Sequence, residues 1–230
     1  RDTDRSRGLG DVYKRQIVLE GSTLNARQFA TQGSREKMAA QIFTGTEHFR
    51  SGVSKVTKGT PEPYKKVQSW LQVSYQNETY HKVSPKFTLG AYLEAYYSSR
   101  NFSNNYTATL MQAGEFTPTA HSKVTYNEAF RANQYAGVGA MPIYQLSESF
   151  QLRGEFYGFI PIFPIKKDEY GQAYYGKAFT KFEYLGEISL VFQLSFGSIS
   201  AYVNHYSSPS NDWNVGLTLG WQLFNSRFVE

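Results

Sequence analysis

Histidines, carboxylates and nucleophilic side chains carry most protein chemistry, and in this chain they are sparse and scattered. Four histidines, His48, His81, His121 and His205, stand far apart and share no metal-ligand spacing. Beyond residue 16 only two aspartates remain, Asp168 and Asp212, so acid–base dyads have little to draw on. No G-x-S-x-G nucleophile elbow occurs; the nearest string, Gly197-Ser198-Ile199-Ser200-Ala201, sets an isoleucine where the serine must stand. H-E-x-x-H, Walker A and G-x-G-x-x-G are all missing. Zero cysteines remove thiolate zinc sites, disulfide frameworks and cysteine nucleophiles together. The sequence therefore nominates no catalytic, cofactor-binding or metal-binding residue. One acyl-transfer candidate is left, the adjacent His121-Ser122 in a long loop, which a fold could bring to a third partner. A solvated loop pair is the plainer reading of it.

The elements that would hold such residues are strands. From Trp213 the odd positions run Trp213, Val215, Leu217, Leu219, Trp221, Leu223, against Asn214, Gly216, Thr218, Gly220 and Gln222. Side chains alternate across a strand, so one face is large and apolar and the other small or polar. The same period recurs at Phe87–Tyr97, Phe150–Ile160 and Tyr184–Phe196, and more weakly at Val67–Tyr80, Tyr106–Ala113, Asn133–Leu146 and Ser198–Tyr206. That predicts about eight strands, with Ile17–Leu24 as a further candidate. Residues 25–66 read as a connection with a short helix: Ser34 can cap it, and Met38, Ile42 and Phe43 form a thin apolar stripe up to Arg50.

Composition then selects the kind of sheet. The 230 residues are 40% hydrophobic and 17% aromatic, yet mean hydropathy is −0.49. No apolar run reaches the roughly 18–20 residues of a membrane helix. Charged residues make up 19% of the chain, below the ~25% of ordinary soluble domains. The polar strand faces carry Gly, Ser, Thr, Gln, Asn and Tyr rather than Lys and Glu, as a barrel lumen does. Tyr96, Tyr97, Tyr174, Tyr175, Tyr184, Tyr206, Trp213 and Trp221 lie near strand ends, where interfacial aromatic girdles form. Short connections at Leu146–Ser149 and Phe196–Ser198 alternate with long polar ones at Glu115–Arg131 and Pro164–Lys177. Outer-membrane barrels alternate short periplasmic turns and long outer loops in this way. The fold class expected is all-β, an antiparallel transmembrane β-barrel over residues 67–230, in the outer membrane of a Gram-negative bacterium. A soluble sandwich or lipocalin-like barrel also alternates, with its apolar face turned inward.

In such a barrel a charge within a strand must face the lumen and find a partner there. Glu94, Arg153, Glu155, Glu183 and Glu187 all fall within strands. Closing a hairpin around Phe163–Ala178 brings Glu155 and Glu187 together, so Arg153, Glu155 and Glu187 are expected to form a structural charge cluster bracing the lumen. Lys and Arg are scattered, with no basic stripe beside stacking aromatics, which argues against a nucleic-acid partner.

Residues 1–16, RDTDRSRGLGDVYKRQ, have neither apolar periodicity nor capping logic, and match a peptide produced when sequencing-adapter DNA is translated. Set aside, they take five basic and three acidic residues with them, so the formal charge of +5 falls to +3. That leaves three regions: 1–16 non-native, 17–66 a first strand and irregular connection, and 67–230 the barrel.

Several strings also resemble the barrel that follows the hydrolase domain in bacterial patatin-like phospholipases. They include Gly90-Ala91-Tyr92-Leu93-Glu94-Ala95-Tyr96-Tyr97, Asn105-Tyr106-Thr107-Ala108-Thr109-Leu110 and Phe116-Thr117-Pro118-Thr119-Ala120-His121-Ser122. Trp70-Leu71 with Tyr75, Phe130-Arg131-Ala132-Asn133, Arg153-Gly154-Glu155-Phe156-Tyr157 and the stretch from Trp213-Asn214-Val215-Gly216 to Leu223-Phe224-Asn225 complete the set. The resemblance implies a parent with a signal peptide, a patatin α/β hydrolase domain, a linker module and this barrel. In that family a Ser–Asp dyad, in G-x-S-x-G and Asp-Gly or Asp-Ala, cleaves phospholipid esters; neither motif is present, so no catalytic residue carries over. It further implies, as partners, outer-membrane lipids, the barrel assembly machinery and the upstream hydrolase domain of the same parent. Half of a larger barrel, or one member of a homo-oligomer, would complete a set of strands too few to close alone. A stand-alone porin-like barrel and a barrel lipid hydrolase using His121-Ser122 stay open as alternatives.

Overall fold

A computed structural model describes residues 12–49, 64–103, 105–208 and 213–221. Its strands are β1 (Val12–Ser22), β2 (Gly33–Phe49), β3 (Tyr64–Lys82), β4 (Phe87–Ser98), β5 (Gly114–Glu115), β6 (Arg131–Ala132), β7 (Gln134–Gln145), β8 (Phe150–Pro161), β9 (Ile165–Lys167), β10 (Ala173–Tyr175), β11 (Glu183–Leu194), β12 (Gly197–Tyr206) and β13 (Trp213–Trp221). Nine of them form one antiparallel sheet in the order β1-β2-β3-β4-β7-β8-β11-β12-β13, each main strand beside its predecessor. The small pairs β5–β6 and β9–β10 lie within two long connections. The chain is all-β, as its alternation predicts. Among the described residues no ladder joins β1 to β13, so those two edges are open.

The sheet is curled. In a flat sheet the β1–β2 loop, residues 23–32, would lie some 29 Å from β12, six strand spacings of ~4.8 Å away. Yet the Gln28 Oε1 accepts from Ser198 Oγ at 3.2 Å, and the Phe29 carbonyl accepts from Gln193 at 3.3 Å and Gln151 at 3.4 Å. The strands therefore wrap a concave space, which this loop enters from one end. From the other end comes the β4–β7 connection, residues 99–133, whose Phe116 and Phe130 are each 2% exposed. Connections after β3, β7 and β11 are short (83–86, 146–149, 195–196), and those after β4 and β8 are long (99–133, 162–182). In an up-and-down sheet the two sets leave from opposite ends, in the alternation expected.

Concave packing puts rings against bare backbone. Phe116 sits 5.5 Å from Phe159 and 6.0 Å from Tyr135, centroid to centroid. It reaches them because Gly137 faces inward: a Cβ there would stand 2.1 Å from the Phe116 ring. Gly139 clears space for Tyr157 likewise, at 2.3 Å. The inward glycines of the sequence pattern are seats for aromatic rings.

The convex face is apolar and open. Trp213, Val215, Leu217 and Leu219 of β13 are 71%, 78%, 80% and 79% exposed. Exposed Leu89, Leu93, Val138, Phe156, Ile188, Leu190, Ile199 and Val203 continue that surface across β4, β7, β8, β11 and β12.

Two expected elements differ. Residues 34–49 form no helix; they lie in the 17-residue strand β2, paired with β3 throughout. Met38 and Ile42 misled because a spacing of four puts two residues on one side of a helix and of a strand alike. Tyr106–Ala113 is not a strand; Tyr106–Gln112 is the helix α1, started by Asn105, whose side chain accepts from the Ala108 N–H at 2.7 Å. Two girdle assignments also fail: Tyr206 is buried, and Tyr96 stacks on Tyr135 at 5.3 Å on the concave side. Tyr97, Tyr184 and Trp213 do face outward, and the Trp221 side chain lies outside the description. Finally, β1 begins at Val12, inside the segment set aside, and pairs Val12–Gln16 with Gln41–Gly45 through backbone groups that any sequence supplies.

Candidate functional site

The polar groups with chemical potential lie on the concave face, where alternation along β4, β8, β11 and β12 points them. On β8 the odd residues Gln151, Arg153, Glu155, Tyr157 and Phe159 are all buried. Arg153 donates from Nε to Glu155 at 3.1 Å. Its Nη1 donates to the Ala30 carbonyl at 2.8 Å and to Gln151 Oε1 at 3.1 Å. Glu155 also accepts from the Tyr157 hydroxyl at 2.9 Å. The guanidinium thus ties its own strand to the β1–β2 loop, with the Phe29 and Tyr80 rings 5.6 and 5.7 Å away. A buried charge with this many partners is compensated.

Glu187 stands directly across the β8–β11 ladder from Glu155, as hairpin closure predicts. It does not pair with Arg153. Its partners are His121 Nδ1 at 2.6 Å, Thr119 Oγ1 at 3.2 Å and Asn204 Nδ2 at 3.4 Å. Of the expected cluster, the fold brings Arg153 and Glu155 into contact and gives Glu187 to the inserted β4–β7 connection. Two carboxylates on adjacent strands then avoid competing for one cation: Glu155 holds Arg153, which fastens the first inserted segment, and Glu187 fastens the second.

His121 and Ser122 do not act as a pair. The Ser122 hydroxyl turns back, donating to the Thr119 carbonyl at 2.9 Å and accepting from the Thr119 N–H at 3.0 Å. His121 instead stacks on Tyr202, with centroids 3.6 Å apart, and its Nε2 lies 3.4 Å from Ser200 Oγ. Glu187, His121 and Ser200 thus follow the acid–imidazole–hydroxyl order of a serine hydrolase. They are 2%, 3% and 1% exposed. With Thr119, Asn204 and Tyr202 packed about it, the group serves as a clasp between the inserted segment and the wall.

The other strand charges are held by hydroxyls and lysine. Glu94 accepts from the Tyr92 and Tyr135 hydroxyls at 2.5 and 2.6 Å, and Glu78 accepts from Tyr80 at 3.3 Å. Glu183 meets Lys181 at 3.3 Å and the Ser207 hydroxyl. Glu78–Tyr80, Tyr92–Glu94 and Glu155–Tyr157 share one device: a carboxylate and a phenol two apart on a strand face the same side. That spacing is visible in the sequence; the His121–Glu187 contact, 66 residues apart, is not. At the rim of the concave space, burial lowers the pKa of Arg100, which lies over the Trp70 ring at 4.3 Å. His205 stays on the convex face between Tyr184 and Trp213. Among the described residues no three His, Asp or Glu side chains gather as metal ligands would. No protein-family model, curated protein or solved structure matches the chain.

Proposed function

We propose that the chain is a non-catalytic outer-membrane β-barrel region that anchors or translocates the hydrolase domain of a patatin-like phospholipase. One observation supports the membrane part: the outer face of the sheet is apolar and uncovered, while charged and polar side chains are enclosed on its inner face. Fully buried side chains include Arg153, Gln151 and Ser189, while Leu217 and Leu219 are four-fifths exposed. In water each such apolar side chain forfeits about 1.5–3 kcal/mol of burial; against hydrocarbon it forfeits nothing. Strands of 12 residues, such as β4, β7, β8 and β11, also meet the ~9–11 residues of a tilted crossing. Open edges are not tolerated in hydrocarbon, and strands from the rest of the parent or from a second copy would cover β1 and β13. The phospholipase part rests on the resemblance of strings alone.

Expression in a Gram-negative host tests the first part. The protein should fractionate with outer membranes, need detergent for extraction and migrate faster in SDS gels when unheated. Solubility without detergent would contradict it. For the second part, the reading frame upstream should encode G-x-S-x-G followed by Asp-Gly or Asp-Ala. A signal peptide directly before the first strand would favour the porin-like reading. The Glu187–His121–Ser200 order favours the other alternative, a hydrolase within the barrel. Lipase activity of the purified chain that disappears in Ser200→Ala would establish that reading over ours.

A further inference from the structure

Between the two inserted segments the concave face holds an open-mouthed cavity of about 480 Å³, the size of a site for a small organic ligand. Its charges do not balance: five cations line it against three carboxylates, a surplus of two. All three carboxylates are engaged from within the protein. Glu155 has Arg153 and Tyr157, Glu94 has Tyr92 and Tyr135, and Glu78 has Tyr80 and Arg35, the last at 3.6 Å. Lys37 leans to Glu20 on β1, at 3.8 Å. That leaves Arg27, on the segment entering from one end, and Lys123, on the segment entering from the other. Among the described residues neither has a carboxylate within ion-pair distance. The remaining wall combines Phe29, Tyr80, Tyr92, Tyr157 and Met141, which offer rings and carbon to a ligand, with the polar Gln28, Gln76, Thr117 and Thr119.

We propose that this cavity binds a small organic anion, a phosphate or carboxylate with a planar or hydrocarbon body. Arg27 and Lys123 balance its charge, and the aromatic wall takes the body. The surplus of two cations over the lining carboxylates is what favours an anion over a cation here. The inference is independent of the membrane assignment, because the cavity is formed by the chain's own strands and loops.

Calorimetric titration of the full chain tests it, in neutral detergent or, should the protein prove water-soluble, in buffer. Phenyl phosphate should bind at least fivefold more tightly than inorganic phosphate, and phenyltrimethylammonium should give no binding heat. Arg27→Gln and Lys123→Gln alter exposed side chains and should leave the fold intact, checked by circular dichroism. Each should weaken phenyl phosphate about fivefold, whereas Lys181→Gln, outside the cavity, should not. Equal binding of the cation, equal binding of inorganic phosphate, unaltered affinity in the double variant, or no binding at millimolar phenyl phosphate would each overturn the proposal.

Discussion

Leu217 on β13 and Ser200 on β12 lie on adjacent strands of one sheet, yet the leucine is 80% exposed and the serine 1%. Everywhere along β8, β11 and β12 the same contrast holds between the convex and the concave face. Burial here is sorted by side of the sheet and not by polarity. A water-soluble sheet protein would cover so apolar an outer face, because removing apolar surface from water stabilises the fold. On the concave side an apolar core around Phe116, Phe130, Ile143, Phe159 and Leu185 is joined by buried carboxylates, each with its own cation, imidazole or phenol, since an unpaired buried polar group is costly. On the convex side the large apolar side chains of β13 and its neighbours lie uncovered, the surface that our proposal sets against hydrocarbon.

The contrast can be broken from the concave side first. Arg153→Ala strands Glu155 in the interior and releases the β1–β2 loop, and should cost about 3–5 kcal/mol, read as a fall in the urea midpoint of the folded form. Arg153→Met combined with Glu155→Gln removes both charges and should be milder. From the convex side, Leu217→Arg in lipid vesicles should cost about 2–4 kcal/mol; on a face wetted by water it would change stability by no more than ~0.5 kcal/mol. Smallest is His121→Ala. It leaves Glu187 with Thr119 and Asn204 only, at a cost of about 1–3 kcal/mol. Faster hydrogen exchange over residues 116–132 should report it, with Ser122→Ala, which leaves the Glu187 contact intact, moving that segment less.

How much of this was legible depended on whether local pattern or long-range contact decided the outcome. Trp213–Trp221 was plain because every odd residue is large and every even one small or polar. β2 was hidden because Arg35, Lys37 and Gln41 on one side face Glu36 and Thr44 on the other, so its two faces barely differ in polarity. α1 turned on a single cap, Asn105, within residues whose alternation fits a strand equally well. In the interior, Arg153 and Glu155 could be paired by their spacing, and Glu187 placed opposite Glu155 by hairpin closure. The partner of Glu187 could not be found that way, since His121 arrives on a connection that folds back into the concave space, and no sequence period describes such a return. Tyr96 and Tyr206 face inward by strand alternation alone, Tyr96 on the side of Tyr92 and Glu94 and Tyr206 on that of Ser200 and Asn204.

The central claim is that the convex face meets lipid and the concave face does not. Because the chain has no cysteine, single-cysteine labelling at paired positions is free of background. A fluorophore at Leu217→Cys or Ile188→Cys in vesicles of nitroxide-labelled lipid should be strongly quenched, and one at Thr218→Cys or Gly220→Cys should not. Equal quenching at all four positions, or quenching confined to the concave pair, would contradict the account.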